Sequence, residues 1–317
     1  MFAALIYAIG ALTLLYLVTQ AFLLLRLYTR PSSLPRYLHG DSYALITGAA
    51  DGIGLGFATE LLSRGFNVIL HGRNPKKLAT VRSQLLTQFP KRKVDTVVAD
   101  AASSHPDIQG ILHAIQHKPV TVLVNNVGGI FTPTKFVALT ENTATEIDWN
   151  ININARFQTQ LTRAVLPLLE RNSPSLIINM GSIASIGGLP LGSVYAAGKA
   201  YDMVFSNSLR LEMQLEQKDV EVLGVMVSEV NSGGNPSGEG WFVLSSRDMA
   251  REALNRVGCG VPWLFAAFPH LLFSWVLRLL PQMVLDRIVV MVCQQRAEAE
   301  RKGNRYKDKS RSPGRGQ

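Results

Sequence analysis

Tyr195 and Lys199 stand four residues apart in Tyr195-Ala-Ala-Gly-Lys199. On a helix that spacing puts both side chains on one face, one turn apart. A lysine ammonium beside a phenol stabilises the phenolate, which makes the phenol a usable general acid near working pH. Ser182 precedes Tyr195 by thirteen residues, just past an apolar run, where its hydroxyl can hydrogen-bond a substrate carbonyl. Alone, a Tyr-x-x-x-Lys pair is usually a solvated helix face. The upstream serine and a glycine-rich turn near the N-terminal end of the chain give it specificity.

That turn is TGAADGIG, residues 47–54. It follows the apolar run Tyr43–Thr47 and precedes a helical pattern. Gly48 permits a tight turn, Gly52 lets backbone approach a phosphate, and Gly54 lets the helix pack close to the strand. The helix N-terminus then faces a pyrophosphate with its N–H groups and positive dipole end. A second apolar run ends at HGRN, residues 71–74. An NAD enzyme usually carries an acid there for the ribose 2′-hydroxyl, and this sequence has none. Arg73, with Lys76 and Lys77 nearby, suits a 2′-phosphate instead. An ordinary exposed arginine reads equally well on that residue alone; the missing acid points to NADPH.

These residues need a frame. Apolar runs at Tyr43–Thr47, Asn67–His71, Val94–Ala99, Val120–Val124, Ser175–Met180 and Val220–Val227 alternate with helical patterns such as Gly54–Arg64 and Lys76–Phe89. Alternation of this kind predicts an α/β fold: a doubly wound parallel sheet with helices on both faces, a Rossmann fold. The expected catalytic domain spans 41–258. No repeat of 20–50 residues is present.

The chain has 317 residues, 47% hydrophobic, 17% charged, with a net charge of +9. That is ample for a core and unlike a disordered chain. Two cysteines, Cys259 and Cys293, exclude a disulfide scaffold and a cysteine-only zinc site. The charge sits at the ends. Residues 1–37 hold Arg26, Arg30 and Arg36 and no acid, and residues 301–317 hold seven basic side chains against Asp308. The body between is neutral, which disfavours nucleic-acid binding.

Residues 1–25 carry no charged side chain and are long enough to cross a bilayer as a helix. The run lacks a basic leading segment and exceeds the usual length of a cleaved signal core. Residues 1–26 are therefore expected to be an uncleaved anchor. The arginines that follow place the body on the cytosolic side. Residues 27–40, with Pro31, Pro35 and Gly40, read as a linker, and 301–317 as a basic disordered tail. Residues 259–300 are apolar but interrupted by Pro262, Pro269, Arg278 and Pro281. They could cover a substrate pocket, lie in the membrane interface or complete the core. His270 reads as structural, since nothing near it in sequence supplies a metal-ligand partner.

Taken together, the residues resemble the short-chain dehydrogenase/reductase family. Thr47–Gly54 is similar to its cofactor turn, Asn125-Asn126-Val127-Gly128 to its NNAG-type motif, and Ser182, Tyr195 and Lys199 to its catalytic set. The likeness covers roughly 41–232. The DGIG and NNVG variants, the N-terminal anchor, the Asn154…Leu166-Pro167 spacing and the apolar C-terminal region resemble one branch. That branch holds the microsomal very-long-chain 3-oxoacyl-CoA reductases and the related 17β-hydroxysteroid dehydrogenases.

The resemblance implies further roles. Thr47, Gly48, Asp51, Gly52, Ile53 and Gly54 would line the cofactor. Asp100 would contact the adenine, and Asn126 and Gly128 would lie along the adenosine side. Val230 and Ser232 would meet the nicotinamide carboxamide, and Tyr195 and Lys199 the nicotinamide ribose. Asn154 would hold a proton-relay water beside the lysine; Asn152 is its near neighbour, and Asn154 is chosen by its distance to Leu166-Pro167.

Two departures stand out. Val227-Ser228-Glu229-Val230 lacks the family's usual proline, and Ser232 replaces the more usual threonine. Gly233–Gly240 reads as a substrate loop or an insertion-tolerant one. The branch implies an NADPH-dependent reductase of the endoplasmic reticulum membrane. Its substrate would be a 3-oxoacyl-CoA in fatty-acid elongation, or else a steroid or another lipid-like ketone. A homodimer or elongation-complex subunits are the implied protein partners. A catalytically silent, cofactor-bound scaffold is the alternative of another class.

Overall fold

The computed structural model describes residues 2–130, 136–232, 238 and 240–311. In chain order the elements are α1 (Phe2–Thr29), β1 (Tyr43–Ile46), α2 (Gly52–Ser63), β2 (Asn67–Gly72), α3 (Pro75–Gln88), β3 (Val94–Val98), α4 (Ile108–Ile115), β4 (Val120–Asn125), α5 (Ala144–Ile151), α6 (Phe157–Arg171) and β5 (Ser175–Met180). There follow α7 (Ala184–Gly187), α8 (Ser193–Leu215), β6 (Val220–Met226), β7 (Val230–Asn231), β8 (Leu244–Ser245), α9 (Ser246–Asn255), β9 (Trp263–Phe265), α10 (Phe268–Leu279) and α11 (Gln282–Arg311).

Seven strands pair in the order β3-β2-β1-β4-β5-β6-β9, all parallel. β1, β2, β4 and β5 are buried along their whole length, as expected for parallel strands covered on both faces. Two apolar layers flank the sheet. One gathers Phe57, Leu61, Val124, Ile178, Met249 and Leu254. The other gathers Leu45, Ile69, Leu123, Phe157, Leu161 and Leu209. Strand order reverses between β1 and β4, so a crevice opens at their carboxyl ends, the usual ligand position in such sheets.

The predicted doubly wound sheet is present, with three corrections to the expected segments. Its seventh strand, β9, lies beyond residue 258. Three residues flanked by Pro262 are too short to register as a strand in the sequence; Gly224 opposite lets Trp263 approach, since a Cβ at Gly224 would sit 3.0 Å from that of Trp263. Residues 27–40 are no bare linker: Leu34 and Tyr37 are buried in the core, Ser33 N–H donates to the Val257 carbonyl at 3.0 Å, and the Tyr37 hydroxyl donates to Glu221. Residues 301–311 continue α11 as helix instead of forming a disordered tail. A helix already nucleated extends at little cost through Lys and Arg, which make up six of these eleven residues. Residues 312–317 lie outside the described residues.

α1 is apolar, and none of its residues is buried. At 28 residues it spans about 42 Å, enough to cross a bilayer.

His71 on β2 is 1% exposed and stacks on Phe157 with ring centroids 5.0 Å apart. Burial pushes its pKa down to about 4. The unfolded chain binds this proton near pH 6.5 and the folded chain does not, so stability falls as pH drops from 6.5 towards 4. Between pH 7 and 5 the loss from this site is about 2 kcal/mol. Urea midpoints at the two pH values should therefore separate less in His71→Phe than in the wild type.

Candidate active site

α8 carries Tyr195 and Lys199. The residue before its N-terminal Gly192, Leu191, holds φ +62°, a left-handed conformation that a β-substituted residue adopts at a cost. Tyr195 is half-buried and borders a small cleft with Ile130, Val137, Asn142 and Leu191. Lys199, one turn on, points inward and is 6% exposed. Its ammonium donates to the Met180 carbonyl at the end of β5, 2.8 Å away, and to Asp202 Oδ2 at 2.9 Å. Burial would lower the Lys199 pKa, but Asp202 and Tyr195 together hold it above the ordinary value. Asp202 is itself 1% exposed and also accepts from the Gln158 amide.

Asn154 meets this lysine from a second helix. Asn152–Arg156 form a π-helical turn between α5 and α6, a widening of the kind found at functional sites. Asn154 Oδ1 accepts from Gly129 N–H at 2.9 Å, and its amide donates to the carbonyls of Gly129 at 2.8 Å and Asn150 at 2.9 Å. A Cβ on Gly128 would lie 2.9 Å from both Asn154 Oδ1 and Lys199 Nζ, and one on Gly198 would lie 2.8 Å from the Asn154 Cβ. Gly128, Asn154, Gly198 and Lys199 thus close on one point that only glycines leave open. Asn152 turns elsewhere, its amide donating to the Ala102 carbonyl at 3.1 Å.

Ser182 follows β5. Its Oγ accepts from Ala184 N–H at 3.2 Å. The backbone on either side is held to the β6 segment by Gly181 N–H to Val225 O and Ile183 N–H to Val227 O, both 2.8 Å. Ser182 is therefore held at the carboxyl edge of the sheet.

The glycine-rich turn lies at the β1–β4 crevice. Gly48 and Gly52 take φ +65° and +54°. A Cβ on Gly54 would fall 2.3 Å from the Gly48 carbonyl oxygen, so any side chain there would force the turn apart. Thr47 Oγ1 accepts from the N–H groups of Asn126 at 2.8 Å and Val127 at 3.0 Å, and the Asn126 amide donates to the Thr47 carbonyl at 2.9 Å. These two residues lock the turn to the NNVG loop. Ile53 packs against the core. Asp51 caps α2, accepting from Gly52 N–H at 2.7 Å, and pairs with Lys77 at 2.6 Å. That hydrogen bond to Lys77 draws the Asp51 pKa below its usual value.

Arg73, Lys76 and Lys77 are exposed just past β2, and Asp100, exposed past β3, accepts from Ala102 N–H at 3.0 Å. Val230 is buried in β7, and Ser232 lies 3.2 Å from where a Gly52 Cβ would be. A bare glycine cradle at a helix N-terminus, cations at the end of β2 and a polar pocket at Lys199 fit a dinucleotide bearing an extra phosphate. Among the described residues no cluster of His, Cys, Asp and Glu could hold a metal ion.

Residues 42–237 match the family model for short chain dehydrogenases. The chain belongs to that family. A very-long-chain 3-oxoacyl-CoA reductase-like protein of Arabidopsis thaliana is 33% identical, with 74% of this chain and 75% of that protein aligned. A very-long-chain 3-oxoacyl-CoA reductase of Caenorhabditis briggsae is 30% identical, covering 84% of each. Among solved structures, a short-chain dehydrogenase of Sphingobium yanoikuyae in complex with NADPH superposes with TM-score 0.62 at 23% identity, covering 74% of this chain and 91% of that one.

In this short-chain dehydrogenase the sequence reading passed over two site residues. Asp202 and Gln158 anchor Lys199 from below. The only sequence signal was an acid three residues past the lysine, which reads equally as an exposed i,i+3 pair. Most of the expected substrate loop, 233–237 and 239, lies outside the described residues.

Proposed function

We propose that this short-chain dehydrogenase is a membrane-anchored NADPH-dependent reductase of a lipid-like ketone, with a 3-oxoacyl-CoA of fatty-acid elongation as first candidate and an oxosteroid as second. The observation that carries the reading is the convergence of Lys199, Asn154 and Gly128 beneath Tyr195 at the glycine-turn end of the sheet. NADPH, when bound, supplies the hydride. Arg73, with Lys76 and Lys77, would hold its 2′-phosphate and the 47–54 turn its pyrophosphate. Asp100, Asn126 and Gly128 would border the adenosine half, and Val230 and Ser232 the nicotinamide. Tyr195 donates its hydroxyl proton to the ketone oxygen. Ser182 donates a hydrogen bond to the same oxygen, so two fixed donors meet the charge as it develops. Lys199 stabilises the phenolate that remains and would hold the nicotinamide ribose. Asn154 keeps the relay that returns a proton to Tyr195 open to water.

The substrate class rests on two supports. Several relatives carry reductase names of the very-long-chain 3-oxoacyl-CoA type, and others are named with steroid dehydrogenases. In addition, Trp241 and Phe242 emerge after the 233–240 segment, and Phe242 meets Phe273 of α10 with ring centroids 6.2 Å apart, an aromatic cover suited to an apolar chain.

Support for the anchor comes from α1 and its docked end. Arg256 donates to the Leu27 and Tyr28 carbonyls at 3.3 and 2.8 Å, capping the helix, and lies 4.4 Å from the Tyr28 ring centre. Arg26, Arg30 and Arg36 favour a cytosolic body, consistent with the endoplasmic reticulum.

The test is NADPH oxidation by the detergent-solubilised full chain, with a long-chain 3-oxoacyl-CoA and an oxosteroid in parallel. Oxidation with the acyl-CoA supports the elongation reading. Activity with the steroid alone moves the protein to the hydroxysteroid branch. NADPH binding with neither ketone reduced favours the silent scaffold.

A further inference from the structure

Residues 227–232 connect β6 to β7 and bring Val230 and Ser232 beside the glycine turn. With no proline in Val227-Ser228-Glu229-Val230, this backbone must be fixed from outside. On one side Ile183 N–H donates to the Val227 carbonyl at 2.8 Å, tying the segment to the Ser182 loop. On the other stands His270 of α10, 0% exposed. Its Nδ1 accepts from Ser228 N–H at 3.3 Å, and its Nε2 lies 3.2 Å from the Glu229 carbonyl oxygen. Accepting at Nδ1 requires the ring proton on Nε2, which then donates to Glu229. One imidazole thus serves a donor and an acceptor on consecutive residues of the loop. Burial lowers the His270 pKa and so favours the neutral ring, which acceptance at Nδ1 requires. α11 adds an outer contact, Arg296 to Glu229 Oε1 at 2.9 Å.

We propose that His270 is a positioning residue for the nicotinamide half of the cofactor: by holding Ser228 and Glu229 it sets the loop carrying Val230 and Ser232, and so makes the C-terminal helices part of the active-site frame. The inference rests on the reading that this loop meets the nicotinamide. No hydrogen bond described links His270 to Tyr195, Lys199 or the glycine turn; beside Ser228 and Glu229, the ring also meets the Phe242 backbone.

Binding of NADPH and of 2′,5′-ADP, which lacks the nicotinamide half, tests this in the wild type, His270→Leu and His270→Asn. Loss of the two bonds in His270→Leu should weaken NADPH binding by about tenfold to hundredfold while leaving 2′,5′-ADP binding within about twofold. Asn offers one acceptor and one donor and should recover part of the loss. Arg296→Ala, whose contact is half-exposed, should shift NADPH binding by no more than about threefold. Thermal melting reports whether each variant is folded; should His270→Leu not fold, His270→Asn and Arg296→Ala carry the comparison. A wild type that binds 2′,5′-ADP and NADPH, with His270→Leu unchanged for both or weakened equally for both, overturns the role of His270 while leaving the cofactor reading intact. A wild type that binds neither overturns the cofactor reading and this inference with it.

Discussion

Tyr195→Phe should lower ketone turnover by about a thousandfold while leaving NADPH affinity within a few-fold, because a positioned general acid contributes roughly 10²–10⁴ in rate. The substitution removes one hydroxyl and keeps the ring. Tyr195 is half-buried beside Ile130, Val137 and Leu191, so the phenyl ring should hold its place and the fold should not change. The glycine turn, Arg73 and the Lys199 pocket are untouched, which is why binding and turnover should separate. Single-turnover NADPH oxidation, with cofactor affinity read by fluorescence, checks both halves. A loss below tenfold would assign proton donation to another group. A parallel loss of NADPH affinity would instead make Tyr195 chiefly a ribose ligand. Ser182→Ala should fall between wild type and Tyr195→Phe, since one of the two donors to the ketone oxygen then remains.

The parts of this site that could be read from the sequence are those fixed by local geometry. β1 to β6 fall within one residue of their expected ends: β1, β2, β4 and β5 are short runs buried on both faces, as central parallel strands must be, and the edge strand β3 still carries Val94, Val97 and Val98. The glycine turn was legible for a similar reason: φ +65° at Gly48 and the close approach at Gly54 restrict those positions to glycine. What escaped was tertiary. β9 is three residues long and becomes a strand only by pairing with β6. Leu34 and Tyr37 sit among prolines yet enter the core, and the partners that hold this segment, Val257 for Ser33 and Glu221 for Tyr37, lie about two hundred residues away. His270 could be read as structural, but not what it held, because the loop it braces is forty residues upstream. The distance to Leu166-Pro167 separates Asn154 from Asn152 in the sequence, while the π-helical turn that sends the two side chains apart does not show in periodicity. The extra residue in that turn rotates Asn154 toward Gly129 and leaves Asn152 facing Ala102.

Removing the Asp202 carboxylate should be among the costliest single changes for stability. Asp202 and Lys199 are 1% and 6% exposed, and their contact is 2.9 Å. Asp202→Ala leaves the Lys199 ammonium buried with the Met180 carbonyl as its remaining described acceptor, and strands the Gln158 amide that now donates to Asp202. Breaking a buried pair on one side typically costs about 3–5 kcal/mol, because the surviving charge stays desolvated. Replacing both partners removes that penalty, so the double variant Asp202→Leu/Lys199→Met should recover most of the stability while remaining inactive. Urea unfolding of Asp202→Leu, Lys199→Met and the double variant completes the cycle, with Asp202→Ala beside them. A loss under 1 kcal/mol in Asp202→Ala, or a double variant no better than the single, would mean that Lys199 does not depend on Asp202 for its place. The expected result would separate two requirements that a tyrosine–lysine spacing hides. In the proposed mechanism the lysine must be charged to serve the phenolate and the cofactor, and a buried charge needs a partner. Asp202 supplies that partner from the turn after Lys199.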